Sequence, residues 1–203
     1  MKKTTLLALL ALTGGSVATQ ATPVSVTFLE NGSNIALGSS STFTEGSASI
    51  TAYASPGSTL FAKDDGAGSN EQGLGITSDP TGENEIWGST FIQLLGVGGL
   101  PTVSISFGST SGGEQALIYA SSSLGTLGTL IGTVSSDTSF AIPLADQGLY
   151  IGVAAGGSNG GIPNILLGGA TVNTPTAADG GLTLTMLGGA LTAASLIRRK
   201  LAA

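Results

Sequence analysis

The chain is predicted to be all-β, an antiparallel β-sandwich of jelly-roll-like form, flanked by an N-terminal signal peptide helix and a C-terminal membrane-spanning helix. Three observations carry this. Short apolar or β-branched runs recur every 8–15 residues between Gly, Ser, Asn and Pro, the spacing of strands joined by tight turns. Helical apolar periodicity is hard to find between the two ends. Residues 22–180 are enough for one domain with a core of its own.

The first residues belong to export. Lys2 and Lys3 precede an apolar run at 6–12 and then small residues, the order of a secretory signal peptide. Cleavage after Ala18 or after Ala21 fits, so residues 1–21 are assigned to the signal and the mature chain begins between Thr19 and Thr22.

The body is assigned to residues 22–172. Its first expected strand, 24–29, alternates Val and Phe with Ser and Thr; 47–54 alternates around Ile50 and Tyr53; 59–63 carries Leu60 and Phe61. Further strands are expected at 90–95, at 102–107 with Val103, Ile105 and Phe107 on one face, and at 116–120, 127–134, 139–144, 149–154 and 165–172. Each run is long enough for one half-buried strand. About ten strands with no helix between them lead to two packed antiparallel sheets. Tyr53, Tyr119 and Tyr150 occupy apolar positions of these runs and are expected in the core. Residues 173–180, with Pro175 among small residues, are expected to be a linker.

The last segment, 181–203, reads as a membrane span with a basic stop. Residues 182–197 carry no charge, and Arg198, Arg199 and Lys200 follow at once. A helix over 181–197 would be about 26 Å long, just short of a hydrocarbon core of about 30 Å. The basic cluster holds the cytoplasmic side. Gly188 and Gly189 are tolerated in lipid and allow another helix to approach closely.

The order Asp179-Gly180-Gly181, a Leu, Thr, Gly and Ala-rich span, then Arg198-Arg199-Lys200 resembles the C-terminal sorting signal of the VPDSG-CTERM class, a relative of PEP-CTERM signals. A related resemblance is to the GlyGly-CTERM class. The resemblance implies an exosortase-type processing protease as membrane partner, and delivery to the cell envelope, the cell surface or its polysaccharide matrix.

Charge narrows the partners. All twelve acidic residues lie in 22–180 against a single base, Lys63, a net charge of −11 for that stretch. Nucleic acid and anionic lipid are repelled by such a body. Cysteine and histidine are both absent, which removes disulfides, thiol nucleophiles, Ser-His-Asp triads and the common zinc sites together. The high glycine content does not mark disorder, because hydropathy is high and charge is low.

One segment stands apart. Residues 64–85 hold six carboxylates, Asp64, Asp65, Glu71, Asp79, Glu83 and Glu85, with Asn70, Gln72, Asn84 and several glycines. Calcium takes six to eight oxygens of these kinds on a glycine-containing loop, so the six acids are a candidate calcium site. The spacing is not that of an EF-hand, and a solvated acidic loop between strands explains the same residues. A third reading pairs Glu83 or Glu85 with Asp65 for glycosidase-type acid and base work. Trp87, the single tryptophan, is a candidate sugar-stacking platform or a strand anchor.

The same segment carries a second resemblance. Glu71-Gln72-Gly73-Leu74-Gly75-Ile76, Glu83-Asn84-Glu85-Ile86 and Phe91-Ile92-Gln93-Leu94 are similar to a pattern in exported PEP-CTERM-type proteins: a Gly-Leu-Gly turn, an acidic step, then an apolar strand. Gly113-Glu114-Gln115-Ala116 and Asn164-Ile165-Leu166-Leu167 follow. The resemblance implies a β-sandwich at the cell surface.

Three function classes follow. The first is a non-enzymatic exported cell-surface or matrix-associated protein. The second is a calcium-assisted carbohydrate-binding module using Trp87 on extracellular polysaccharide. The third is a carboxylate-dependent glycoside hydrolase.

Overall fold

Alternation of small polar and apolar residues gives each run one dry face and one wet face, and the described residues use this to build fourteen strands. In order they are β1 (Ala21–Thr27), β2 (Ile35–Gly38), β3 (Ser40–Glu45), β4 (Ala48–Ala54), β5 (Leu60–Asp64), β6 (Gln72–Ile76) and β7 (Ile86–Trp87). There follow β8 (Phe91–Gly96), β9 (Thr102–Ser109), β10 (Gln115–Ser121), β11 (Thr129–Val134), β12 (Ser139–Ala141), β13 (Tyr150–Gly156) and β14 (Asn164–Pro175). This computed structural model describes residues 21–28, 34–64, 71–77, 82–110, 113–157 and 162–175. A 3-10 turn, Val97–Gly99, joins β8 to β9.

The strands form two antiparallel sheets. One has the order β12-β9-β14-β6-β5-β2, with β1 and β7 also pairing with β14; the other runs β11-β10-β13-β8-β4-β3. Residues from both sheets make one buried cluster, including Ile50, Ile92, Leu94, Ile118 and Val153 from the six-stranded sheet and Leu60, Leu74, Ile105, Ile165 and Val172 from the other. Phe28, just after β1, packs edge-on against Phe43 of β3 with ring centroids 5.0 Å apart, an arrangement that adds to area burial. The body Ala21–Thr174 is a unit by itself.

All ten expected strands are present, and four others join them. β2, β3, β6 and β7 lack the apolar alternation that reveals a strand: β3 buries only Phe43, β6 is interrupted by Gly73 and Gly75, and β7 is two residues long. The Gly-Leu-Gly stretch expected as a turn is therefore the centre of strand β6. The expected linker also shifts, because β14 runs on to Pro175, three residues into 173–180. Thr174 is held by its hydroxyl donating to the Thr22 carbonyl at 3.0 Å. β1 begins at Ala21, the last residue assigned to the signal.

Among the described residues no helix is long and apolar enough to cross a membrane. Residues 1–20 of the signal segment, the sorting residues Asp179, Gly180, Gly181, Arg198, Arg199 and Lys200, and the expected span at 181–203 lie outside the described residues.

Candidate functional site

The acidic segment is organised around Lys63. In β5, Leu60 joins the common core, so Phe61 and Lys63 point to the opposite face of the eight-stranded sheet. Across the β5–β6 ladder Phe61 stands opposite Gly75 and Lys63 opposite Gly73. The strand beside them thus offers a floor without side chains. Residues 82–85 lie on that floor: a Cβ on Gly75 would fall well inside 3.0 Å of the Asn84 carbonyl and the Glu85 backbone. Asn84 is the only non-glycine among the described residues with positive φ, 58°, a conformation asparagine tolerates better than most. This turn delivers Glu85 to Lys63.

Lys63 Nζ donates to Glu85 Oε1 at 2.9 Å and to Glu71 Oε2 at 2.9 Å. Lys63 and Glu85 are only 5% and 2% exposed, although both carry charge-bearing groups. Burial pushes the Glu85 carboxyl up, against the pull of Lys63, to about 7. Burial alone would lower the Lys63 ammonium; the hydrogen bonds to Glu71 and Glu85 outweigh it and hold the pKa above the ordinary lysine value.

The other acids go elsewhere. Asp64 accepts from Gln72 Nε2 at 2.9 Å, while its backbone N–H donates to Asn34 Oδ1 at 2.9 Å and its carbonyl accepts from Asn34 Nδ2 at 3.2 Å. Glu83 accepts from Asn164 Nδ2 at 2.7 Å, and the Asn164 N–H donates to Glu114 at 3.3 Å. Asp65 and Asp79 lie outside the described residues. Among the described residues no three acidic side chains converge to hold a metal ion. The carboxylates of the four described members of the candidate calcium set instead turn toward Lys63 and the amide side chains of Gln72 and Asn164. An open cleft of about 420 Å³ adjoins them, lined by Asn34, Phe61, Lys63, Glu71 and Glu83 among others.

Trp87 begins the pairing of β7 with β14, opposite Asn164. Its backbone N–H and carbonyl both bond the Thr90 hydroxyl, at 3.0 and 2.7 Å. The indole Nε1 is closed off from solvent, with no acceptor among the described residues.

The tyrosines correct an expectation. Ile50, Ala52, Ile118, Ile151 and Val153 fill the core, and strand alternation therefore turns Tyr53, Tyr119 and Tyr150 to the outer face of the six-stranded sheet, where all three are half-buried. Tyr53 and Tyr150 meet edge-on with centroids 6.2 Å apart. Gln93 stands opposite Tyr53 and Gly152 on this face. Its amide ties down the β10–β11 connection: Nε2 donates to Ser123 and Thr126 carbonyls at 3.3 and 2.9 Å, and Oε1 accepts from Gly125 N–H at 2.6 Å.

Lys63, Gln93 and Asn164 are the residues that the acid-centred reading missed. Only Lys63 carried a signal, as the sole base of an acidic body. Comparison with family models, curated proteins and solved structures finds no match to this chain.

Proposed function

We propose that the chain is a non-enzymatic exported protein of the cell surface or extracellular matrix, delivered by the sorting signal at 179–200 and its membrane span. The observation that carries this reading is the hydroxyl lining of the outer sheet faces. On the eight-stranded sheet a groove of about 280 Å³ is bordered by Ser25, Thr27, Ser104, Ser106, Ser139 and Thr171, with Ser25 and Thr171 hydroxyls 3.1 Å apart. On the other sheet Thr42 pairs with Thr51 at 2.9 Å and Thr44 with Ser49 at 2.8 Å. Such uncharged rows suit contact with neutral hydrated polymers, whereas the net charge disfavours polyanions. A jelly-roll-like connection of the strands accords with the same role.

The test is fractionation of cells making the full chain or a chain lacking 181–203. The full chain is expected in the envelope or matrix fraction and the truncated one in the medium. A full chain that remains in the cytosol overturns the reading. Co-purification of an exosortase-type protease with the full chain alone tests the partner.

A second reading, a carbohydrate-binding module, is favoured by the outer tyrosines. Tyr53 and Tyr150 offer half-buried aromatic surface on the outer face of the six-stranded sheet, the kind of surface that packs on a sugar ring. Tyr53→Ala with Tyr150→Ala is expected to abolish retention on a polysaccharide column under this reading, and Trp87→Phe to leave it intact. Calcium assistance would fall to the acidic segment, with Asp65 and Asp79 as further ligands. The hydrolase reading would need Glu85 or Glu83 working with Asp65.

A further inference from the structure

The Lys63 site presses an amine and a carboxyl group together inside the fold, and these are the reactants of an amide. Lys63 Nζ is 2.9 Å from a carboxylate oxygen of Glu85 and 2.9 Å from one of Glu71. The side chains of Lys63 and Glu85 are 6% and 3% exposed, while that of Glu71 is 51% exposed. The reacting pair is dry and its second carboxylate is wet. We infer that Lys63 and Glu85 condense into an intramolecular isopeptide bond, with Glu71 moving the proton.

The step balances without a co-reactant. A proton passes from the Lys63 ammonium to Glu85, turning the ion pair into a neutral amine and a carboxylic acid. Burial favours that neutral form while the hydrogen bonds to Glu71 and Glu85 oppose it, so the neutral pair is the minor species from which the reaction proceeds. The amine lone pair attacks Glu85 Cδ, forming the C–N bond and a tetrahedral centre. Glu71 takes one proton from nitrogen and returns it to the departing hydroxyl. The C–O bond breaks, water leaves into the adjoining cleft, and Glu71 ends as it began.

Two physical terms drive it. The fold holds both groups in contact on a floor set by Gly73 and Gly75, which makes a slow bimolecular condensation effectively unimolecular. The product also replaces two buried charges by one neutral amide, removing their desolvation cost. In a chain without cysteine, the bond would constrain the unfolded state between residues 63 and 85 as a disulfide does.

Trypsin and mass spectrometry test it on the full chain. Lys63 is the only Lys or Arg between Lys3 and Arg198, and trypsin cuts after a free lysine but not an acylated one. The denatured wild-type chain is expected to resist cleavage at Lys63 and to weigh one water less than its sequence. Glu85→Ala is expected to restore both cleavage and mass. Glu71→Gln should do the same while keeping the β circular dichroism of the wild type. A wild-type chain of full mass that is cut at Lys63 overturns the proposal, with no variant needed. Complete bond formation in Glu71→Gln overturns the role given to Glu71.

Discussion

The Asn84 carbonyl lies over Gly75, in space that any side chain at residue 75 would occupy. This one contact explains how two glutamates and a lysine from separate segments share a site. Gly75 stands opposite Phe61 in the β5–β6 ladder, two residues from the Gly73–Lys63 pair. Gly75→Ala is therefore expected to lift residues 82–85 and cost about 1–3 kcal/mol, the usual penalty of overpacking. Urea unfolding of the two chains measures it. The same variant should keep Lys63 unacylated and trypsin-sensitive.

Asn84 supplies the turn that brings Glu85 inward, at φ 58°. Asn84→Gly is expected to change stability little, since glycine adopts this conformation freely. Asn84→Val is expected to cost about 1–2 kcal/mol from the left-handed backbone alone. Equal melting points for the two variants would dismiss the strain argument.

Gln93 is 1% exposed and its amide satisfies three backbone groups of the 123–126 loop. Gln93→Ala leaves those groups without their partner and is expected to cost about 1–3 kcal/mol. Hydrogen exchange at Gly125 should rise at least as much as global stability falls. Unchanged protection there would show that the loop holds itself.

The pH dependence of the uncondensed pair has a defined sign. The Glu85 carboxyl is raised by burial from 4.5 to about 7, so between those values the native state holds more protons than the unfolded state. Stability from this group is present at the acid end and is lost as pH rises toward 7. The Lys63 contribution, with its pKa raised, persists throughout this window and fades only at strongly alkaline pH. The Glu71→Gln chain is thus expected to lose melting temperature between about pH 4.5 and 7 more steeply than Glu85→Gln. Parallel curves would remove Glu85 as the titrating group.

Calcium is expected to leave the melting point of the full chain unchanged. Glu71 and Glu85 already bind the Lys63 ammonium, and Glu83 binds Asn164. An ion that bound only the folded form would raise the melting point by mass action. A rise that vanished in the Asp65→Asn, Asp79→Asn chain would restore the calcium site and assign it to those residues.

The strand map was largely legible because alternation is a local property. Val103, Ile105 and Phe107 announce β9, and Ile105 and Phe107 do reach the core. β3 and β6 escaped notice for one reason: Thr42 and Thr44 spend their side chains on hydroxyl pairs with β4, and Gly73 and Gly75 have none to show. The acidic segment was legible as a cluster, but its chemistry was not. Carboxylates read in a line suggest a metal; folded, Glu71 and Glu85 bind an ammonium while Asp64 and Glu83 bind amides.

The sequence by itself determined the all-β alternation, the turns, the acidic balance and the placing of a lone base among carboxylates. Those follow from backbone periodicity and side-chain chemistry, which act over a few residues. Tertiary structure alone decided which wet or dry face each strand shows. Tyr53, Tyr119 and Tyr150 read as core residues until the registers of β4, β10 and β13 turned their neighbours inward. It also decided that Lys63 meets Glu85, 22 residues on, and that Glu83 meets Asn164, 81 residues on. Such meetings depend on sheet order and on the room that glycine leaves, and neither is written in the neighbours of a residue along the chain.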